Sequence, residues 1–165
     1  RNPRNQGFIE YVGHDTYINW RKETESAGDF AISIGSTTID HINYLADPYG
    51  EQIEFLTYYY YEPRSRQNIN FNYKYEKHNV SVNMTRMGHM NIYGTSGGGT
   101  KSDPHIMTNV SYSYDWSPDI DTYVSIRNID DVMPQKDTGY SYPFFNQGYY
   151  SAFGRYMTAG ITYRF

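Results

Sequence analysis

The chain has 165 residues and a formal net charge of -4, with 20 Tyr, 8 Phe and 2 Trp but no cysteine, and Leu45 and Leu56 as its only leucines. Leucine and alanine favour helices, whereas Tyr, Phe, Ile, Val and Thr fit a pleated surface, so an all-β chain is expected. Disulfides and thiolate metal sites are excluded, no apolar run reaches the roughly 20 residues of a membrane helix, and singly scattered Lys and Arg argue against a nucleic-acid surface. The mean hydropathy of -0.77 scores Tyr as polar and so conceals apolar surface. A β membrane protein stays open, because its alternating strands carry little hydropathy signal.

The opening Arg1-Asn2-Pro3-Arg4-Asn5-Gln6-Gly7 is polar and lacks the apolar core of a signal peptide. It is expected either to follow a removed signal or to lie inside a longer chain. A strand is predicted near Gly7 to Gly13, a polar loop from His14 to Gly28, and an extended stretch from Asp29 to Tyr44. After the turn signal Asp47-Pro48-Tyr49-Gly50, residues Ile53, Phe55, Thr57, Tyr59 and Tyr61 alternate with Gln52, Glu54, Leu56, Tyr58 and Tyr60, the period of a strand. Glu62 to Gln67 connects it to the next.

The following run sets Ile69, Phe71, Tyr73 and Tyr75 against Asn68, Asn70, Asn72 and Lys74. A short turn at 76–79 leads into Val80, Val82 and Met84 against Asn79, Ser81 and Asn83. A further hairpin is predicted from His105 to Trp116 and Ile120 to Asn128, joined by the turn residues Trp116-Ser117-Pro118-Asp119. The chain ends on Met157, Ala159, Ile161, Tyr163 and Phe165 alternating with polar residues. That amounts to about eight antiparallel strands. Short turns are expected near 45–51, 76–79 and 116–119, and long polar loops at 14–28, 89–104 and 129–154. Such alternation is the pattern of an outer-membrane barrel, in which backbone groups must all pair within the protein. Tyr59, Tyr61, Tyr75, Tyr114 and Trp116 then read as aromatic girdles at the membrane interfaces. A Tyr-rich soluble sandwich is the plainer alternative, disfavoured by the Asn- and Ser-rich faces of at least four strands.

Several segments carry candidate chemistry. Met84-Thr85-Arg86-Met87-Gly88-His89-Met90 gathers thioethers and an imidazole; Met87, His89 and Met90 are weak candidates for a soft metal such as copper, with ordinary packing preferred. Gly94 to Ser102 lacks the Lys directly after the last Gly, and the following helix, that a phosphate loop needs. Asp130-Asp131 at a strand end reads as a solvated rim, with a divalent-cation bridge to lipopolysaccharide as the alternative. The loop from Gln135 to Phe153 is the best ligand-contact candidate: Tyr140, Tyr142, Phe144, Phe145, Tyr149 and Tyr150 offer flat aromatic area, and Asn146 offers hydrogen bonds. Packing of these aromatics within the loop is an equal alternative. No catalytic grouping and no cofactor is indicated.

Over its last 60 or so positions the chain resembles the C-terminal end of a TonB-dependent outer-membrane receptor. The resemblance rests on Asp103-Pro104-His105, the Trp116 to Asp119 turn, Ser125-Ile126-Arg127-Asn128-Ile129-Asp130-Asp131, the loop Tyr142-Pro143-Phe144-Phe145-Asn146, and Gly154-Arg155-Tyr156 through Thr162-Tyr163-Arg164-Phe165. Ile129 and Asp130 replace the usual Leu and Phe of an Arg-Asn-Leu-Phe-Asp-like motif. Ile161, Tyr163 and Phe165 are similar to the terminal signal read by the barrel-assembly machinery. Residues 1 to 102 resemble such barrels only in their hairpin pattern. The resemblance implies the last third or so of a 22-stranded barrel, whose plug domain is not located in this chain. It implies contact with outer-membrane lipid and lipopolysaccharide, the rest of the barrel, the plug, and TonB through that plug. Uptake of a siderophore or another scarce nutrient would be the function. A complete eight-stranded barrel with a structural or adhesive role is the alternative.

Overall fold

The computed structural model describes residues 7–46, 49–58, 62–92 and 100–165. The strands are β1 (Phe8–Lys22), β2 (Asp29–Leu45), the two-residue β3 (Ile53–Glu54), β4 (Ser65–Tyr75), β5 (His78–Met87), β6 (His105–Ser117), β7 (Ile120–Arg127) and β8 (Tyr156–Tyr163), with one helical turn, α1 (Phe55–Tyr58). They form a single antiparallel sheet in the order β1-β2-β4-β5-β6-β7-β8, with β3 pairing β2 off this path. The fold is all-β. The sheet is open, since β1 and β8 each pair on one side only among the described residues.

Register makes the sheet two-faced. Trp20, Ile32, Phe71, Val82, Val110, Ile126 and Met157 lie directly opposite one another, one from each strand of the path. One residue along, on the other face, the row reads Asn19, Ser33, Asn70, Asn83 and Asn109. Since side chains alternate faces, a one-residue slip in any strand would turn its apolar residues to the other face, and in β4, β5 or β6 would bring an amide such as Asn70, Asn83 or Asn109 into the apolar row. The amide row is also bonded to itself. Asn70 Nδ2 reaches Ser33 Oγ at 3.4 Å, Asn83 Nδ2 donates to Asn70 Oδ1 at 2.8 Å and to Asn68 Oδ1 at 2.7 Å, and Asn109 Nδ2 donates to Asn83 Oδ1 at 3.1 Å. These cross-strand contacts hold the register from the polar side while the apolar row specifies it from the other.

No residue of the apolar row is buried, and Ile18, Met157 and Ile161 are 52%, 64% and 76% exposed. A sheet in water normally covers such a face with a second layer. Here the described residues supply none. At the end of the sheet with short turns the apolar face becomes aromatic: His78 and Tyr114 ring centroids are 4.9 Å apart, Tyr114 and Trp116 4.7 Å, and Tyr163 and Phe165 6.3 Å. Trp116 Nε1 donates to Thr122 Oγ1 at 3.1 Å.

Two expectations in the N-terminal third are corrected. The polar loop expected from His14 to Gly28 is largely strand, because β1 runs unbroken to Lys22 against Phe30 to Thr38 of β2. Ladder pairing outweighs the polarity of His14, Asp15 and Asn19, leaving a connection of only 23–28. Thr24 closes that connection, its Oγ1 donating to Gly28 O at 2.7 Å and accepting from Ala27 N–H at 3.1 Å. Gly28 has φ of 84° and sits where a Cβ would lie 2.5 Å from Lys74 O, so no other residue fits there without strain.

The strand expected over 53–61 shrinks to Ile53–Glu54 and gives way to the helical turn. Glu54 is the physical reason: its Oε1 accepts Leu56 N–H and Ile42 N–H, each at 3.2 Å, which folds the chain over instead of extending it. Tyr59 and Tyr61, expected as girdle residues, lie outside the described residues, as do Asp47-Pro48 and most of the glycine-rich run. The short connections are therefore 23–28, 76–77 and 118–119, and the long ones 46–64, 88–104 and 128–155. Short and long alternate strictly, with a different membership from that expected: 14–28 joins the short class and 45–51 the long.

Candidate functional site

The long connections meet at one end of the sheet, and the loop after β7 organises that end. Its base is clamped at Asn128, which is 2% exposed. Asn128 N–H donates to Asn109 Oδ1 at 3.0 Å, its Nδ2 donates to Val132 O at 2.9 Å, and its Oδ1 accepts Val132 N–H at 3.0 Å. The amide row of the polar face thus runs directly into the loop. The far side of the base closes through Asp131, whose Oδ1 accepts Arg155 N–H at 2.7 Å. This acid, read above as part of a rim, is a structural acceptor.

Inside the loop the candidate residues divide. Asn146 is an organiser: its Oδ1 accepts Gly148 N–H at 2.9 Å, its backbone O accepts Tyr149 and Tyr150 N–H at 3.2 and 3.1 Å, and its Nδ2 donates to Tyr140 Oη at 3.1 Å. Phe145 and Tyr150 are 6% and 8% exposed and pack with Met90, flanked by Met87 and Tyr149. Tyr149 lies under the Arg66 guanidinium, 4.8 Å from its ring centroid. Tyr142 and Phe144 instead face outward at 83% and 38% exposure, edge to face at 5.9 Å, with Lys136 Nζ 5.0 Å over the Phe144 ring. The outward aromatic pair is what remains for ligand contact; Phe145 and Tyr150 take the packing role.

Burial pushes the Tyr150 phenol above its ordinary value, with the neighbouring Tyr140 adding to it. Tyr149 rises too, first through burial and then through the Glu62 carboxylate, with Arg66 opposing. Both stay protonated donors at neutral pH.

The loop also draws in the thioether segment, which sequence treated separately. Tyr150 Oη lies 3.8 Å from Met90 S, and the His105 ring meets Tyr150 edge to face at 5.0 Å. Met87 sits directly opposite His105 in the ladder. Met90, His105, Met133 and Tyr150 line a common cavity of about 210 Å³, together with Gln135 and Asp137. His89 is not among them; its Nδ1 is 2.7 Å from Ser102 O. The imidazole beside the thioethers is therefore His105, and Met133 joins them. No spacing rule could have found this, since Met90, His105 and Met133 belong to the connection after β5, to the start of β6 and to the loop after β7. Among the described residues no group of three or more His, Asp or Glu is arranged to hold a metal.

Ile161, Tyr163 and Phe165 project together from the terminal strand at 76%, 63% and 110% exposure. On the polar face, Tyr123 lies across Gly160, where a Cβ would approach its ring to 2.7 Å. That contact explains a glycine inside β8.

Beside the loop, Glu54 Oε2 is 3.2 Å from His41 Nδ1 and its side chain is 34% exposed. Burial raises the Glu54 pKa, but the Ile42 and Leu56 N–H bonds and His41 outweigh it and the net direction is down. A carboxyl with a lowered folded pKa adds stability above its unfolded value and loses it as pH falls through the folded one. Glu54→Gln is therefore expected to lower the thermal midpoint at neutral pH, the difference from the native chain vanishing as pH drops below the ordinary carboxylate range. A difference that persists in acid would show that packing, and not charge, is responsible.

The chain was compared with protein-family models, with curated proteins and with solved structures. None matches.

Proposed function

We propose that this chain is the C-terminal arc of a bacterial outer-membrane barrel of the TonB-dependent receptor type, supplying wall and outer loops for uptake of a siderophore or another scarce nutrient. The observation that carries the reading is the pair of adjacent rows: an uninterrupted apolar row on one face and a self-bonded amide row on the other. A bilayer suits the first face and a water-filled or plugged interior the second. The aromatic band at the short-turn end suits a membrane interface. Lipid and lipopolysaccharide would contact the apolar face, the remaining barrel the two sheet edges, and the plug, through which TonB delivers energy, the amide face. Ile161, Tyr163 and Phe165 would serve the barrel-assembly machinery. This reading assigns the chain no enzymatic step.

Strand direction bears on the alternative of a small complete barrel. Phe8 lies opposite Leu45 at the long-loop end, and Tyr163 opposite Ile120 at the short-turn end, so β1 and β8 run the same way. Seven strands on the path cannot close antiparallel. A barrel antiparallel throughout would take an odd number of further strands, a parity that 22 strands satisfy.

Lipid contact is tested with the two tryptophans, Trp20 in the apolar row and Trp116 in the aromatic band. In vesicles brominated along the acyl chains, Trp20 emission in the Trp116→Phe variant should be strongly quenched. A soluble sheet would show no quenching, nor the heat-modifiable migration of a detergent-extracted barrel. A parent polypeptide of only 19.3 kDa would sink the arc reading.

A further inference from the structure

We propose that the cavity between the two outer loops binds a soft monovalent metal ion, Cu(I), through the thioethers of Met90 and Met133 and the imidazole of His105, with Met87 packed behind them. Methionine usually fills gaps in a core. Two observations go beyond that. The first is convergence: Met90 from the connection after β5 and Met133 from the loop after β7 line the same cavity of about 210 Å³ as His105 at the start of β6, and Met87, three residues before Met90, packs against the cluster that holds Met90.

The second is the imidazole. His14, His41, His78 and His89 each place Nδ1 within 3.2 Å of a polar partner, namely Asp40, Glu54, the Tyr112 hydroxyl and Ser102 O. His105 alone makes no ring-nitrogen hydrogen bond among the described residues; its contact is the Tyr150 ring. No described residue engages its nitrogens, which leaves them open to a ligand.

The donor chemistry selects the ion. Thioether sulfur is neutral, polarisable and weakly basic, so it suits Cu(I) and its analogue Ag(I), whereas Mg(II), Ca(II) and Fe(III) want oxygen. Two carboxylates, Asp103 and Asp137, share the cavity lining with Lys136, and Asp137 is 4% exposed and engaged by Gly139 N–H at 2.9 Å. The ion enters already as Cu(I), so no electron transfer is involved. The site is independent of the barrel reading, and its success or failure is measured separately from lipid quenching.

The test is an anaerobic titration of the folded chain with Cu(I), in competition with bathocuproine disulfonate. One equivalent per chain is expected. Met90→Leu with Met133→Leu, which keeps side-chain volume, should weaken binding at least about tenfold, as should His105→Gln, while His89→Gln should leave it unchanged. Retention of Cu(I) by both the methionine pair and the His105 variant, no uptake at all, or displacement by equimolar Zn(II) would each overturn the assignment. Should a variant misfold, the unmodified chain decides. Ag(I) should shift the methyl resonances of Met90 and Met133 and spare Met84 and Met157 on the apolar face; equal shifts at all four would sink the proposal.

Discussion

Val82→Lys is expected to cost about 2–4 kcal/mol in a bilayer, the penalty for a cation near the midplane of a membrane strand. Val82 sits between Phe71 and Val110 in the apolar row, so the ammonium has no polar side chain directly across from it on its own face. Ser111→Lys, placed opposite Ser81 and Ser125 on the other face, should change stability by no more than about 0.5 kcal/mol. Urea unfolding of the two variants in lipid vesicles reads the contrast directly. If the same face met water, Val82→Lys would be as mild as Ser111→Lys, and the proposed membrane wall would fall with it.

The second large effect is expected at Asn128. Its side chain donates to Val132 O and accepts Val132 N–H, and its backbone takes φ of 51°. Alanine would leave two groups unpaired in a nearly buried position, at about 1–3 kcal/mol for each one stranded, and would hold a left-handed backbone that asparagine tolerates better. A total loss of about 2–4 kcal/mol follows, because the loop can relax around part of the defect. Proteolysis should become fast between 129 and 155 while the sheet stays resistant. Asn128→Gly separates the two causes: it relieves the backbone and still loses the bonds. A glycine variant as stable as the native chain would show that only backbone geometry matters at this position.

Much of the sheet was legible because β4 to β8 alternate cleanly and their turns carry strong signals, as at Trp116-Ser117-Pro118-Asp119. The N-terminal third was not. In β1, His14, Asp15, Thr16 and Asn19 lack a clear apolar period, and strand length there is decided by pairing with β2, which sequence does not display. Conversely Ile53 to Tyr61 alternates well but is interrupted at Glu54, whose carboxylate binds two backbone N–H groups. Local period lost to a side-chain hydrogen bond.

The candidate loop shows the same division. That residues 135–153 are rich in aromatic contact area is plain from composition, but Phe145 and Tyr150 turn inward while Tyr142 and Phe144 turn out, a sorting made by Asn146 and the clamp at Asn128. Met87 and Met90 were visible as a cluster; their partnership with His105 and Met133 was not.

The period-two alternation of this leucine-poor, tyrosine-rich chain is enough to dictate strands with one apolar and one amide face, because successive side chains in any strand point to opposite sides. Register, strand direction and the meeting of the long loops are different in kind. They depend on contacts between residues far apart in the chain, such as the bond from Asn128 to Asn109 or the edge contact of Tyr150 on His105, and no local pattern encodes which distant partner each residue will meet.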